Sequence, residues 1–430
     1  MKLVREQLTA GISLTAIQTD KFKSASLSLT FLTPLDRERA AVNALVPYIL
    51  RRGCKAYPTM GAVSVRLEEL YGGILEPSVR KRGETQCLGL TGSFLDDAYM
   101  LEPGSNLRDA AELLTQMTLD PVVEQGVFKA EYVSGERENL VQAIRAQVND
   151  KRRYATLRLL QEMCKDERYG ADALGSEAAM AAVTAESAWA AYQALLATAR
   201  VELFYCGTAS AQEVKEALAA LTAGLKKAQR AVTPLDCQVC PSPEHPPETV
   251  VEPMDVTQGK LALGFRTGGV RLSAECRREY AALMVCNALY GGTATSKLFM
   301  NVREKLSLCY YASSALESLK GVMVVSSGVE FDKMDQAQEE ILAQLEAVKS
   351  GNFTEEELES ARQAVVNGYK SALDSRAQLE SHCQTAAVNG EWISLEELTR
   401  DVETVTAEQV VQVAGKLTLD TVYRLVGREG

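Results

Sequence analysis

The chain has 430 residues, 46% of them hydrophobic and 24% charged, the balance of a globular protein that can bury a sizeable core and form more than one domain. Its formal charge of −11 argues against general affinity for nucleic acid, since an acidic surface repels phosphates unless a separate basic patch is present. No apolar run approaches the ~18–20 residues needed to cross a bilayer, and the opening MKLVREQLTAGISL has neither an apolar signal region nor a small-residue cleavage site, so no membrane association and a cytoplasmic location are expected.

In chain order, the alternating run Leu27-Ser28-Leu29-Thr30-Phe31 predicts a strand, and the apolar stretch from Ala40 to Leu50 a helix. A glycine, a second helix and alternating strands follow. Gly72 and Gly73 read as a turn needing positive φ or close backbone approach. Arg80-Lys81-Arg82, the densest basic run, reads as a solvated turn beside a strand. A long charged helix is expected from Lys129 to Val148, entered after Phe128. Thr184 is an expected N-cap opening a helical stretch that ends in the strand Val201-Glu202-Leu203-Phe204-Tyr205 and Gly207.

Between Thr233 and Pro253 the prolines Pro234, Pro241, Pro243, Pro246, Pro247 and Pro253 exclude a helix interior and a central strand, so this stretch reads as an extended connector lying outside both cores. It contains Cys237-x-x-Cys240 with His245 close behind, a spacing that lacks the further ligands of a zinc ribbon. The ten cysteines are scattered and mostly lie within apolar segments, as expected of buried free thiols in a reducing compartment.

The second half repeats the first. Lys260-Leu261-Ala262-Leu263-Gly264-Phe265 predicts a strand and Ala281 to Leu289 an apolar helix; both first helices contain Asn-Ala-Leu, at 43–45 and 287–289. Gly291 and Gly292 follow, then alternating strands and a long helix from Thr354 to Leu373, entered after Phe353. Thr406 is the N-cap matching Thr184, and Thr421 to Val426 the matching strand. The repeat predicts an α+β protein of two homologous halves, each a mostly antiparallel sheet with helices packed on one face, arranged as a clamshell. The expected boundaries are an N-terminal half at 1–230, a proline-rich linker at 231–253 and a C-terminal half at 254–430. No phosphate-binding loop of the G-x-x-x-x-G-K-[ST] type occurs, so no nucleotide site is expected.

Gly291-Gly292-Thr293-Ala294-Thr295-Ser296-Lys297-Leu298-Phe299, followed by Val302-Arg303-Glu304-Lys305-Leu306-Ser307-Leu308-Cys309-Tyr310, closely resembles the second-half signature of insulinase/pitrilysin-like (inverzincin) peptidases. Tyr169-Gly170 with Gly175 is similar to a further family segment. The resemblance runs from about residue 25 to the end. It implies a zinc site built from H-x-x-E-H on the first helix and a glutamate from an E-x6-E pair on a later long helix, with the motif's glutamate as general base. Here the chain departs from the family. Ala44, Pro47 and Tyr48 stand at the H-x-x-E-H positions; Glu136 matches the first glutamate of the later pair and Ala143 falls at the second. The two histidines, His245 and His382, share no motif. This chain is therefore expected to bind no metal and to cleave no peptide by itself.

The resemblance implies that Arg303 and Tyr310 contact a substrate carbonyl and the oxyanion of the tetrahedral intermediate. A phenol and a fixed cation suit that developing charge. Tyr311 is the nearest competitor, and alternation sets the two tyrosines on opposite sheet faces. Keeping this pair without the zinc ligands implies a non-catalytic subunit acting in trans. Its expected partner is a homologous chain bearing H-x-x-E-H and the zinc, and its expected substrate a peptide or unfolded polypeptide. The pattern most resembles the bacterial subgroup labelled elongation factor P 5-aminopentanol modification-associated proteins, which occurs as such pairs. Two alternatives stay open: a structural or assembly subunit, and a peptide-binding module without chemistry.

Overall fold

Alternating and helical periodicities pass along the chain in the order that the repeat predicts. The computed structural model describes residues 1–228 and 230–428. The first strands are β1 (Lys2–Thr9), β2 (Ile12–Gln18) and β3 (Ser24–Pro34), followed by helices α1 (Ala40–Arg51) and α2 (Met60–Glu69). Next come β4 (Ile74–Arg82), β5 (Thr85–Leu95), α3 (Asn106–Leu119), the short β6 (Val123–Glu124) and β7 (Val127–Phe128), then α4 (Ala130–Ala146) and α5 (Lys151–Met163). The first half closes with α6 (Glu177–Ala181), α7 (Ala185–Thr198), β8 (Arg200–Gly207), α8 (Ala211–Ala217) and α9 (Ala219–Lys226). The second half begins with β9 (Glu248–Met254), β10 (Gly259–Arg266) and α10 (Arg277–Asn287). It continues through β11 (Cys309–Glu317), β12 (Val322–Val329), α11 (Met334–Lys349), α12 (Glu355–Ala372), α13 (Arg376–Asn389), α14 (Leu395–Glu403), α15 (Ala407–Gly415) and β13 (Thr418–Gly427).

The expected caps form. Thr184 Oγ1 accepts from Ser187 N at 3.2 Å, and the Ser187 hydroxyl accepts from Thr184 N at 2.9 Å. Thr406 and Gln409 make the same reciprocal pair on α15. Each satisfies two of the N–H groups that a helix start leaves open, worth about 1 kcal/mol per cap.

These elements form two compact units. One comprises residues 1–145, 171–236 and 376–384; the other comprises 146–170, 237–375 and 385–430. Each unit thus takes in a stretch from the opposite half of the sequence: α5 belongs to the second, and the first part of α13 to the first.

The first unit carries the sheet β1-β2-β8-β3-β5-β4 and the second the sheet β11-β12-β10-β13-β9. In the first, β2 and β8 are parallel and the remaining neighbours antiparallel. In the second, β9 and β13 are parallel and the rest antiparallel. Strands β2-β8-β3-β5-β4 therefore have the same order and directions as β9-β13-β10-β12-β11. The sequence repeat is a repeat of topology, and both units are mixed α and β with mostly antiparallel sheets.

Alternation along β3 sends Leu27, Leu29 and Phe31 into a core shared with Ala44, Leu45 and Ile49 of α1. Each such fully buried Leu or Phe contributes roughly 1.5–3 kcal/mol. The opposite face of β3 presents Ser28 and Thr30 to the start of α13: the Ser28 hydroxyl donates to Glu380 Oε1 at 2.5 Å, and Gln384 Nε2 donates to Thr30 Oγ1 at 3.2 Å. In the second unit α5 covers the corresponding face, packing Ala155, Leu159 and Met163 against Ala262, Val324 and Leu425. A Cβ at Gly264 would stand 2.5 Å from Met163 Sδ, so a larger residue there would push the Met163 side chain aside. In each unit a helical segment from the opposite half of the sequence thus covers this second face of the sheet.

Two local expectations are corrected. Arg80-Lys81-Arg82 is the end of β4, not a solvated turn. Lys81 Nζ donates to Ala171 O at 3.2 Å and Arg82 to the Ser381 hydroxyl at 2.8 Å, so long side chains on an edge strand find acceptors outside the sheet. The end of the expected connector, Glu248–Met254, is strand β9. It is the outermost strand of its sheet, the position at which a proline is tolerated in a strand. Of the ten cysteines, all free, Cys237, Cys240 and Cys276 are partly exposed and the other seven buried.

Candidate functional site

In the first unit, Ala44, Pro47 and Tyr48 lie on α1, with Ala44 and Pro47 buried and Tyr48 half-buried. Pro47 sits inside the helix, which continues for another turn. Across from it α4 supplies Glu136, which is buried, and Ala143, which is exposed. Arg52, the residue that ends α1, donates from Nη1 to Glu136 Oε1 at 3.1 Å. Asn139 Nδ2 donates to the other oxygen at 3.2 Å. The Arg52 guanidinium also lies over the Tyr132 ring at 5.1 Å, and the Tyr132 hydroxyl donates to the Pro58 carbonyl.

These residues do not fit a zinc ion. Alanine and proline side chains offer no donor atom. Burial raises the Tyr48 phenol above its ordinary range and the Glu136 charge raises it further, so it stays protonated at neutral pH and is a poor ligand. The carboxylate of Glu136 is already engaged at both oxygens. No group of three or more His, Cys, Asp or Glu side chains suited to a metal occurs among the described residues. The Cys237-x-x-Cys240 pair is used locally: Cys237 Sγ donates to Leu319 O at 3.5 Å and Cys240 Sγ to Ser242 O at 2.9 Å.

In the second unit the Gly-rich signature is a pair of π-helical segments, Ala288–Gly292 and Leu298–Lys305. Leu306 N bonds back to Asn301 O at 3.0 Å, five residues earlier. Such wide turns are rare and recur at functional sites. Gly291 is needed because a Cβ would meet Leu298 and Ser314 at 2.8 Å or less. Arg303 projects from the second segment with its side chain 41% exposed, Nε 3.4 Å from Glu304 and the guanidinium 4.6 Å from the Phe299 ring centre. Ser307 then closes the segment at φ 48°, a left-handed conformation that a non-glycine residue adopts at a cost.

Tyr310 is the extra residue of a β-bulge at the start of β11. Cys309 pairs with Val329 and Tyr311 with Gly328, leaving Tyr310 without a place in the register. It is 62% exposed, and its hydroxyl makes one long hydrogen bond, 3.4 Å, to Glu330. Tyr311 is packed instead: the Arg152 guanidinium lies 4.2 Å above its ring, and burial pushes its phenol up to about 12. Of the two tyrosines, Tyr310 is the one presented to solvent. The sequence singles out Arg303 and Tyr310 but shows neither the bulge nor Arg52 as the partner of Glu136. An arginine one turn beyond Tyr48 on the same helical stripe was the available signal.

The family model described as the peptidase M16 inactive domain matches residues 182–365. A Bacillus subtilis (strain 168) protein described as probable inactive metalloprotease YmfF is 32% identical over 420 residues, covering 98% of this chain and 97% of that one. Among solved structures, a conserved protein from Enterococcus faecalis V583 is 29% identical, with a TM-score of 0.88 over 100% of this chain and 99% of its own. The peptidase M16 inactive domain from Pseudomonas fluorescens shares the fold at 16% identity, with a TM-score of 0.79 over 100% and 99% of the two chains. With a relative 32% identical across nearly its whole length, and a match to the peptidase M16 inactive domain, the chain belongs to the insulinase (M16) peptidase family as an inactive member.

Proposed function

We propose that this chain is the non-catalytic subunit of a heterodimeric zinc peptidase, supplying Arg303 and Tyr310 to a substrate held by a homologous partner that carries H-x-x-E-H. The observation that carries the reading is the contrast between the two sites. Ala44, Pro47, Tyr48 and Ala143 offer neither a zinc ligand nor a general base, whereas Tyr310 is held out by a bulge and Arg303 by a π-helical segment. A phenol O–H and a guanidinium are the donors that an acyl-transfer oxyanion and a peptide carbonyl need. β11 is also the outermost strand of its sheet, so an extended peptide can add alongside it beside Tyr310. Zinc belongs to the partner in this reading. The cellular setting is the cytoplasm, and the chain falls in the elongation factor P-associated subgroup.

The experiment is co-purification from the native organism, identification of the accompanying chain by mass spectrometry, and peptide-cleavage assays on each chain alone and mixed. Cleavage only by the mixture, abolished by a chelator, is the expected result. A partner without H-x-x-E-H, or a zinc-bearing partner equally active alone, would move the assembly-subunit reading ahead.

A further inference from the structure

The start of α5 sets a guanidinium over the outermost strand of the second sheet. Alternation along β11 buries Ala312 and Ser314 on one face and leaves Tyr311 and Ser313 on the other. That other face also carries Val324, the partner of Ala315 in β12, and is the one that α5 covers. The Tyr311 ring lies against Gly328 of β12, where a Cβ would meet it at 2.5 Å. Arg152, the second residue of α5, is exposed; its guanidinium lies 4.2 Å above that ring, and its Nη2 donates to Ser313 Oγ at 2.9 Å. Stacking and the hydrogen bond together fix the plane of the fork and leave its other N–H groups open to a ligand. Asp150, close enough to act on the Tyr311 phenol, is used otherwise: it caps α5 by accepting from Arg153 N at 3.0 Å. No carboxylate among the described residues forms an ion pair with Arg152.

We propose that Arg152 is a specificity-determining residue: it selects peptides that place an aspartate or glutamate on the α5 face as they add along β11. The inference rests on the reading of β11 as the edge to which substrate adds. An added strand lies about 4.8 Å away, and its residues beside Tyr311 and Ser313 send their side chains to the same face as those two. A carboxylate there comes within reach of a fork already held at Ser313. It can accept two parallel N–H bonds from a cation that needs no reordering to give them. The chain as a whole carries a formal charge of −11, so its general field favours a basic peptide. A preference for an acidic one therefore isolates the local cation.

The test uses fluorescein-labelled peptides of alternating threonine and valine with a central glutamate, glutamine or lysine. They are titrated by fluorescence anisotropy against the full chain and against the co-purified complex. Binding about fivefold tighter for glutamate than for glutamine at low salt is expected, near the upper end for an exposed ion pair, with lysine weakest. Arg152→Gln should remove the difference, and Arg152→Glu should turn the preference toward lysine, a reversal that misfolding cannot produce. Arg153→Gln, one residue along α5, should leave the glutamate preference intact. Equal binding of the three peptides, or a preference that survives Arg152→Gln, overturns the inference and leaves peptide addition at β11 standing. If no peptide binds either preparation, addition at β11 fails and this inference fails with it.

Discussion

Tyr310→Phe isolates the chemistry from the fold. The substitution removes one oxygen from a side chain that is 62% exposed and whose only hydrogen bond is 3.4 Å long, to the exposed Glu330. Nothing packs less well as a result, so Tm should stay within about 1 °C of the parent, as for surface changes away from special features. Assembly with the partner should also be intact. If the phenol meets the oxyanion, its loss deletes a donor that acts in the transition state, costing roughly 2.7–4 kcal/mol, or about 100- to 1000-fold in kcat. The assay is steady-state cleavage of a fluorogenic peptide by the mixed complex, with complex formation checked by size-exclusion chromatography. Arg303→Ala should raise KM as well as lower kcat, because a cation that grips the ground-state carbonyl acts before the transition state. Tyr311→Phe keeps the ring beneath Arg152 and should leave turnover unchanged. Unchanged turnover in the Tyr310 and Arg303 variants of an active complex would refute the reasoning and make the pair a relic of ancestry.

Three further outcomes test the physical account of the fold. Lys320 is fully buried and contacts Glu167 and the Gln238 carbonyl, while Arg266 holds the same half-buried carboxylate, so Lys320→Met should cost about 1–3 kcal/mol in urea unfolding by removing one of its two cations; a cost below ~0.5 kcal/mol would contradict it. Burial raises the Glu380 carboxyl above its ordinary range, against the hydrogen bond from Ser28 and the charges of Arg80 and Arg82. A raised folded-state value means that its contribution to stability is full below the unfolded value of ~4.3 and lost as pH rises through the folded value. Glu380→Gln should therefore flatten the fall in stability from pH 4 upward, and an unchanged pH profile would count against the assignment. Ser307→Gly should raise stability by about 0.5–1 kcal/mol, the relief of left-handed strain less the entropy that glycine adds to the unfolded chain; a lower Tm would show that Ser307 is held there by contacts that glycine loses.

The sequence by itself determined the repeat, the family and the missing ligands. These are local matters of residue type: Thr184 and Thr406 cap helices because a hydroxyl two or three residues from open N–H groups satisfies them wherever the helix lies, and Ala44 or Pro47 lacks a ligand atom in any conformation. The strand order β2-β8-β3-β5-β4 and its repeat were not legible, because pairing β2 beside β8 depends on long-range register that no window of sequence contains. The exchange of α5 and the start of α13 was hidden for the same reason: their apolar or polar faces show that they must be covered, not which sheet covers them. Arg52 as the partner of Glu136 required α1 and α4 to be set side by side, since the two residues lie far apart along the chain. Tyr310 against Tyr311 required the bulge, because alternation distinguishes two faces but only the register with β12 shows which tyrosine is left over. Composition and spacing fix what each residue can do; tertiary packing decides which of them meet, and charges and registers acquire meaning only there.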